Sequence, residues 1–396
     1  MPYRILIEGN DLLKKNVIMG LILISVMMVN NIVFASEEIK MNLHAKGAIV
    51  VENKSGRILY GQHYDEQMAM ASTTKIMTCI IALENCDLNE IVQVSKLATK
   101  APPVKLYIKE GEKYCLEDLL YALMLQSSND VAIAIAEHVG GSVENFCDMM
   151  TSKAHELGAK DTSFKTPNGL DADGHYTTAR NLALIAIYAM KNDKFVEIIN
   201  TKNKTISSRD GSKKQHNLVN KNSFLFAYSD SNGIKTGFTS KAGYCYVGSA
   251  CKNNMNLISV VLASGWPPHK TFKFDDTRKL LDYGFNNFEM KVIPDQSFSV
   301  KNIKVIDGQN DNVSCYIEKI TKDIPLSKQD QISYDINIMD EIQAPVIKGD
   351  IVGSVKVYLN NENIYSMPIK TTEEVKKIDF IFNLKKIIDI TFKLCK

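Results

Sequence analysis

Three short motifs follow one another along this chain: Ser72-Thr73-Thr74-Lys75, Ser127-Ser128-Asn129 and Lys235-Thr236-Gly237. Each alone is cheap. A Ser-Ser-Asn run reads as a helix cap, and Lys-Thr-Gly as an exposed strand end. Together they constrain the fold, which must bring three distant parts of the chain to one place. A serine hydroxyl is a weak nucleophile at neutral pH and needs a base within hydrogen-bond reach. Ser72 and Lys75 are three apart, so on a helix they share a face. Residues 76–83 are apolar enough for a buried helix, and burial lowers a lysine pKa and frees its lone pair. The trio therefore reads as an acyl-transfer site that uses no histidine.

At 396 residues and 45% hydrophobic content, the chain can bury a full core, and two domains are expected. A net charge of +2 and the lack of a basic tract interleaved with aromatics argue against a nucleic-acid binder. The eight cysteines show no metal-ligand spacing, so they read as small buried apolar thiols. Cys245 and Cys251 could pair, although nothing in the sequence requires it. No metal or cofactor is implied, and none of the seven histidines, His175 included, is assigned a role in the chemistry.

Lys14 and Lys15 precede an apolar stretch over residues 17–33, and Val33-Phe34-Ala35 then offers modest residues before polar Ser36. This predicts a secretory signal over residues 1–35, cleaved after Ala35. Residues 47–52 and 57–60 read as strands around the turn Asn53-Lys54-Ser55-Gly56. Helices are predicted near Ser72, over residues 116–125, 130–138 and 144–157, and around 277–281. Strands are predicted over 233–236, 244–250 and 257–263, the last two joined across residues 251–254. The fold class is thus α/β in the loose sense (α+β): an antiparallel sheet with a helical cluster between its early and late strands, over residues 36–286. Alternating apolar residues from 287 to 371 predict a small all-β domain.

Residues 372–396 carry an independent signal. On a helix, Phe380, Ile381, Leu384, Ile387, Ile388 and Phe392 share one side, while Asp379, Asn383, Lys385, Lys386, Asp389, Lys393 and Lys396 cluster opposite. That is the pattern of a helix lying in a membrane interface, and its apolar run is too broken to span a bilayer.

The three motifs in this order are the signature of penicillin-binding proteins and serine β-lactamases. Their surroundings narrow the match. Ala71 through Thr78, the run Leu119-Leu120-Tyr121-Ala122-Leu123-Met124-Leu125-Gln126 before Ser127, and Gly233-Ile234-Lys235-Thr236-Gly237-Phe238-Thr239 closely resemble the low-molecular-mass D-alanyl-D-alanine carboxypeptidases. Pro167-Asn168-Gly169-Leu170 and Leu280-Leu281-Asp282-Tyr283-Gly284-Phe285 fit the same family. The resemblance covers roughly residues 40–370. It implies a β-lactamase/transpeptidase-like catalytic domain, a β domain that spaces it from the membrane, and a peptidoglycan stem peptide ending in D-Ala-D-Ala as substrate. β-Lactams would be covalent inhibitors. The enzyme would sit on the outer face of the cytoplasmic membrane, held by the C-terminal helix.

The resemblance also implies roles. Ser72 is the nucleophile and Lys75 its base; Ser127 relays a proton to the leaving amine. Asn129 bonds the substrate amide with one end and Lys75 with the other. Lys235 adds a second positive charge that keeps Lys75 neutral, and Lys235 and Thr236 suit a terminal carboxylate. Gly237 lets the strand approach without a Cβ clash, and the N–H groups of Ser72 and Phe238 are the oxyanion donors. Two positions depart from the family: Lys273 stands where arginine is usual and lacks the guanidinium fork, and Asn181 stands where aspartate is usual. A class A β-lactamase would carry a deacylating glutamate in the stretch 161–173, which has none. A DD-endopeptidase shares the motifs, and a non-enzymatic penicillin sensor remains a further alternative.

Overall fold

The computed structural model describes residues 40–212 and 214–394. The signal expected over residues 1–35 lies outside the described residues, as do the Phe392 side chain and Lys396.

A five-stranded antiparallel sheet organises the catalytic part. Its strands are β1 (Gly47–Glu52), β2 (Ile58–Gln62), β3 (Ser231–Thr239), β4 (Gly243–Lys252) and β5 (Met255–Leu262), in the order β2-β1-β5-β4-β3. Every residue of β1 is buried. It pairs with β5 from Gly47 opposite Leu262 to Glu52 opposite Leu257, so the first and last long strands close the domain at the middle of the sheet. The β4–β5 turn is tighter than expected, because β4 runs on to Lys252. Asn253 and Asn254 turn the chain with φ of 51° and 61°, the left-handed pair that suits a two-residue hairpin.

Helices fill the interval between β2 and β3. They are α1 (Lys75–Asn85), α2 (Leu116–Tyr121), α3 (Asn129–Gly140), α4 (Val143–Glu156), α5 (Ala179–Ala189) and α6 (Asp193–Asn200), with α7 (Phe272–Asn287) following β5. α1 is buried along residues 75–82 and packs on α3 and α5 in a core that includes Ile76, Ile80, Ile135, Phe146 and Phe195. Gly141 ends α3 with φ 71°, a left-handed cap that glycine adopts without a Cβ penalty.

The C-terminal part is all β. A four-stranded antiparallel sheet (Cys315–Ile317, Glu362–Thr371, Ile351–Leu359, Ile332–Ile338, in spatial order) accompanies a three-stranded and a two-stranded sheet. Along Ile351–Leu359, Val355, Val357 and Leu359 alternate into the interior, as period-2 patterning requires. This domain extends past the expected limit at residue 371. Val375 is buried and bridges Val346, and the Ile378 N–H donates to the Asp307 carbonyl at 2.8 Å. Arg57, in the β1–β2 loop, joins the two parts with a fork to Asp330 at 2.7 and 2.9 Å.

After it comes α8 (Phe380–Leu394). Phe380, Ile381, Leu384, Ile387 and Ile388 are all exposed, so this apolar side is not packed on the described residues. Among the described residues no helix is long and apolar enough to cross a membrane.

Candidate active site

Regular α-helix begins at Lys75, three residues later than the sequence suggests. Ser72 instead lies in a 3₁₀ turn, Ala71–Thr74. The tighter winding eclipses positions i and i+3, and so aligns Ser72 with Lys75. Lys75 is fully buried, and its Nζ lies 2.9 Å from Ser72 Oγ, 2.8 Å from Asn129 Oδ1 and 2.6 Å from the Asn168 carbonyl oxygen. As an ammonium it donates to all three; as an amine it keeps two N–H bonds for the carbonyl oxygens and a lone pair for the Ser72 hydroxyl. Burial, and then the charge of Lys235, hold its pKa well below the ordinary lysine value against a smaller opposing pull from Asp130.

Lys235 reaches the site from β3. It is buried, donates to the Thr236 carbonyl at 3.0 Å, and has its pKa lowered to about 7 by burial and by Lys221. Thr236, Gly237 and Phe238 follow it along the strand and line a cleft of about 470 Å³ with Ser72, Ser127 and Lys273. A Cβ on Gly237 would stand 2.9 Å from Ser72 N and 3.1 Å from Thr73 N. Only glycine lets β3 come this close to the nucleophile turn.

Ser127 follows a π-helical turn, Ala122–Gln126, and adopts φ 62°, a left-handed conformation that is costly for serine and recurs at active sites. Asn129 is positioned differently from the expectation. Its Oδ1 holds Lys75, but its Nδ2 donates to the carbonyls of Pro102 and Pro103 at 3.1 and 3.0 Å rather than facing the cleft. Both ends of its amide are engaged within the protein.

Sequence reasoning left three contributors without roles. The Asn168 carbonyl accepts from Lys75, and from Ser72 Oγ at 3.4 Å. The next residue, Gly169, has φ 82°, and a Cβ there would fall 1.9 Å from the Ala71 carbonyl oxygen. Asp130 is buried and accepts from the backbone N–H groups of Leu106 and Tyr107 at 3.0 and 2.8 Å, fixing the segment beside the cleft. His175 is structural: Lys165 N–H donates to its Nδ1, so Nε2 carries the proton and donates to Thr74 Oγ1 at 3.0 Å, which donates to the Ala71 carbonyl at 2.8 Å. Burial lowers its pKa to about 4 and keeps it neutral.

The departures also have places. Lys273 is buried in the cleft wall between Tyr244 and Phe274, at 4.5 and 4.4 Å from their ring centres, and burial and Lys270 lower its pKa to about 8. Asn181 is buried with its Nδ2 unpartnered. Cys245 and Cys251 are both free thiols, one buried and one exposed, so the pair anticipated as an option is not formed.

Residues 33–265 match the D-alanyl-D-alanine carboxypeptidase family, and residues 288–377 match the penicillin-binding protein 5 C-terminal domain. The D-alanyl-D-alanine carboxypeptidase DacF of Bacillus subtilis is 32% identical over 354 residues, covering 86% of this chain and 88% of its own. DacC of Escherichia coli is 31% identical over 356 residues, covering 86% of each. In three dimensions, penicillin-binding protein 5 from Haemophilus influenzae overlays with a TM-score of 0.70 at 26% identity, covering 86% of this chain and 99% of that one. A serine-to-alanine mutant of the Streptomyces K15 DD-transpeptidase overlays with a TM-score of 0.59 at 30% identity, over 62% of this chain and all of its own. With the motifs, the fold and both domains in agreement, this chain belongs to the D-alanyl-D-alanine carboxypeptidase family.

Proposed function

We propose that the chain removes the terminal D-alanine from peptidoglycan stem peptides through an acyl-enzyme on Ser72. The observation that carries this reading is Lys75 Nζ, buried, 2.9 Å from Ser72 Oγ and with no carboxylate bonded to it among the described residues. Its neutral amine takes the hydroxyl proton as Ser72 Oγ attacks the carbonyl carbon of the penultimate D-alanine. The resulting oxyanion is held by the Ser72 and Phe238 N–H groups, donors worth about 100- to 1,000-fold each in rate. Ser127 passes a proton to the leaving nitrogen as the C–N bond breaks, and free D-alanine departs. Water then adds to the ester, and Ser72 is regenerated. Lys235 and Thr236 receive the substrate's terminal carboxylate, whose negative charge raises the Lys235 pKa and keeps that side chain cationic. Asn129 serves here by orienting Lys75.

β-Lactams acylate the same serine, but the opened ring stays tethered and obstructs the water. Residues 161–173 contain no glutamate to activate that water from another direction, which favours a carboxypeptidase over a β-lactamase. The exposed apolar side of α8, opposite its lysines, supports peripheral attachment to the outer face of the cytoplasmic membrane.

Incubation of the purified protein with a stem pentapeptide, followed by mass spectrometry, tests the activity; loss of one alanine is the expected product. Cleavage of cross-linked dimers with no action on the pentapeptide would instead make it an endopeptidase. Penicillin turnover as fast as that of the peptide would make it a β-lactamase.

A further inference from the structure

The helices that carry Lys75 and Asn129 meet at both ends. At their N-terminal ends the Lys75–Asn129 hydrogen bond joins them. At the other end Cys86, the residue after α1, and Glu90, in the turn that follows, meet His138 in the last turn of α3. A thiol sulfur, a carboxylate oxygen and an imidazole nitrogen there all lie within 4.8 Å of one another. We propose that Cys86, Glu90 and His138 bind a divalent cation of the zinc type, completed by water, which staples the C-terminal ends of α1 and α3.

The geometry is largely in place. His138 Nε2 lies 2.9 Å from Glu90 Oε2, while Glu90 Oε1 accepts the Asp87 N–H at 2.8 Å. The Glu90 carbonyl accepts from Leu116 N–H at 2.9 Å, so the backbone that carries the carboxylate is held. Tetrahedral zinc, with bonds of about 2.0–2.3 Å, needs its ligand atoms about 3.3–3.8 Å apart. Side-chain rotation at Glu90, whose side chain is 42% exposed, closes the remaining gap. The donor set is selective as well: thiolate with imidazole favours zinc-type ions over calcium or magnesium, which prefer oxygen.

On binding, the cation takes the place of the contact between His138 Nε2 and Glu90 Oε2, with Nε2 as its ligand and the imidazole hydrogen on Nδ1. The Cys86 thiol proton also leaves for solvent as the metal–sulfur bond forms, and nothing is oxidised or reduced. Because the site joins the far ends of the two helices, the cation acts on stability and not on the chemical step.

The test is titration of the purified, phosphine-reduced full-length chain with Co²⁺ and then Zn²⁺. One equivalent of Co²⁺ should give a thiolate-to-cobalt absorption band that Zn²⁺ abolishes. Zn²⁺ should raise Tm by several degrees, with carboxypeptidase kcat unchanged within about twofold. Cys86→Ser should remove the band, and His138→Gln should weaken binding on the order of 100-fold. Absence of the band from the wild-type chain, or its persistence in Cys86→Ser, overturns the proposal. If circular dichroism shows Cys86→Ser to be unfolded, His138→Gln decides, and unchanged affinity in that variant overturns it equally.

Discussion

Two buried amines of like charge, Lys75 and Lys235, set the pH behaviour of the site. Each pKa is lowered chiefly by burial: that of Lys75 falls well below the ordinary lysine value with help from the charge of Lys235, and that of Lys235 falls to about 7 with help from Lys221. Lys75 must be neutral to act as base, so kcat/KM should rise with pH through its depressed pKa. Lys235 must be cationic to receive a carboxylate, so kcat/KM should fall as pH rises through about 7. A bell-shaped profile with both limbs belonging to the pair is expected. Lys235→Arg, which cannot deprotonate, should flatten the alkaline limb; an unchanged limb would remove Lys235 from it. Lys75→Arg should be folded and nearly inactive, as judged by circular dichroism and pentapeptide turnover. Ser72→Ala should lose roughly 10⁴- to 10⁶-fold in rate, and labelled penicillin should leave no adduct on it in peptide mapping. These residue types were legible in the sequence because acyl transfer restricts which side chains can serve. The Asn168 carbonyl was not, since a backbone acceptor has no residue-type signal.

At the scale of elements, the site depends on how closely β3 and the 167–170 loop press on the 3₁₀ turn. Gly237→Ala would place a methyl 2.9 Å from Ser72 N. Backbone on both sides cannot yield cheaply, so Tm should fall and the displaced nucleophile turn should lower kcat/KM on the order of 100-fold. Equal activity would show that the strand can retreat. His175→Ala leaves Thr74 Oγ1 and the Lys165 N–H without their buried partner, which should cost about 1–3 kcal/mol in urea-melt stability. The five sheet strands and helices α1 to α4 and α7 were readable from periodicity, whereas α5 and α6 were not anticipated. The local departures were not: the 3₁₀ turn at Ala71–Thr74 and the π turn at Ala122–Gln126 arise where packing against neighbouring elements overrides the intrinsic 3.6-residue period.

For the whole molecule, the boundary between β domain and tail matters most. Val375 sits in the β-domain core beside Val346, so a chain ending at Thr372 should melt several degrees lower than one ending at Ile378. The chain ending at Ile378, with its signal removed, should be fully active and released from membranes on fractionation. Tight membrane association of that form would show that α8 is not the anchor. The junction between domains has its own pH signature. Burial works against ionisation of Asp330, but the Arg57 fork, the Ser327 N–H and the Asn360 amide outweigh it and hold the carboxyl at about 2. A depressed carboxyl pKa stabilises the folded state above its unfolded value, and that contribution is lost as pH falls from about 4 towards 2. Arg57→Ala should therefore lower Tm at neutral pH and reduce the difference between neutral and acid stability.

The sequence by itself determined the class of chemistry, the order of the motif-bearing elements and the amphipathic tail. Each follows from residue type and short-range period: a serine three residues from a lysine, alternating valines, a lysine face opposite an aliphatic one. The tertiary structure alone decided which groups meet across long separations. Asn129 proved to be engaged by the Pro102 and Pro103 carbonyls as well as by Lys75, His175 buttresses the nucleophile turn through Thr74, and Cys86, Glu90 and His138 converge. Such meetings are set by how helices cross and where loops are pinned, and close packing resolves those geometries only once the whole core is assembled.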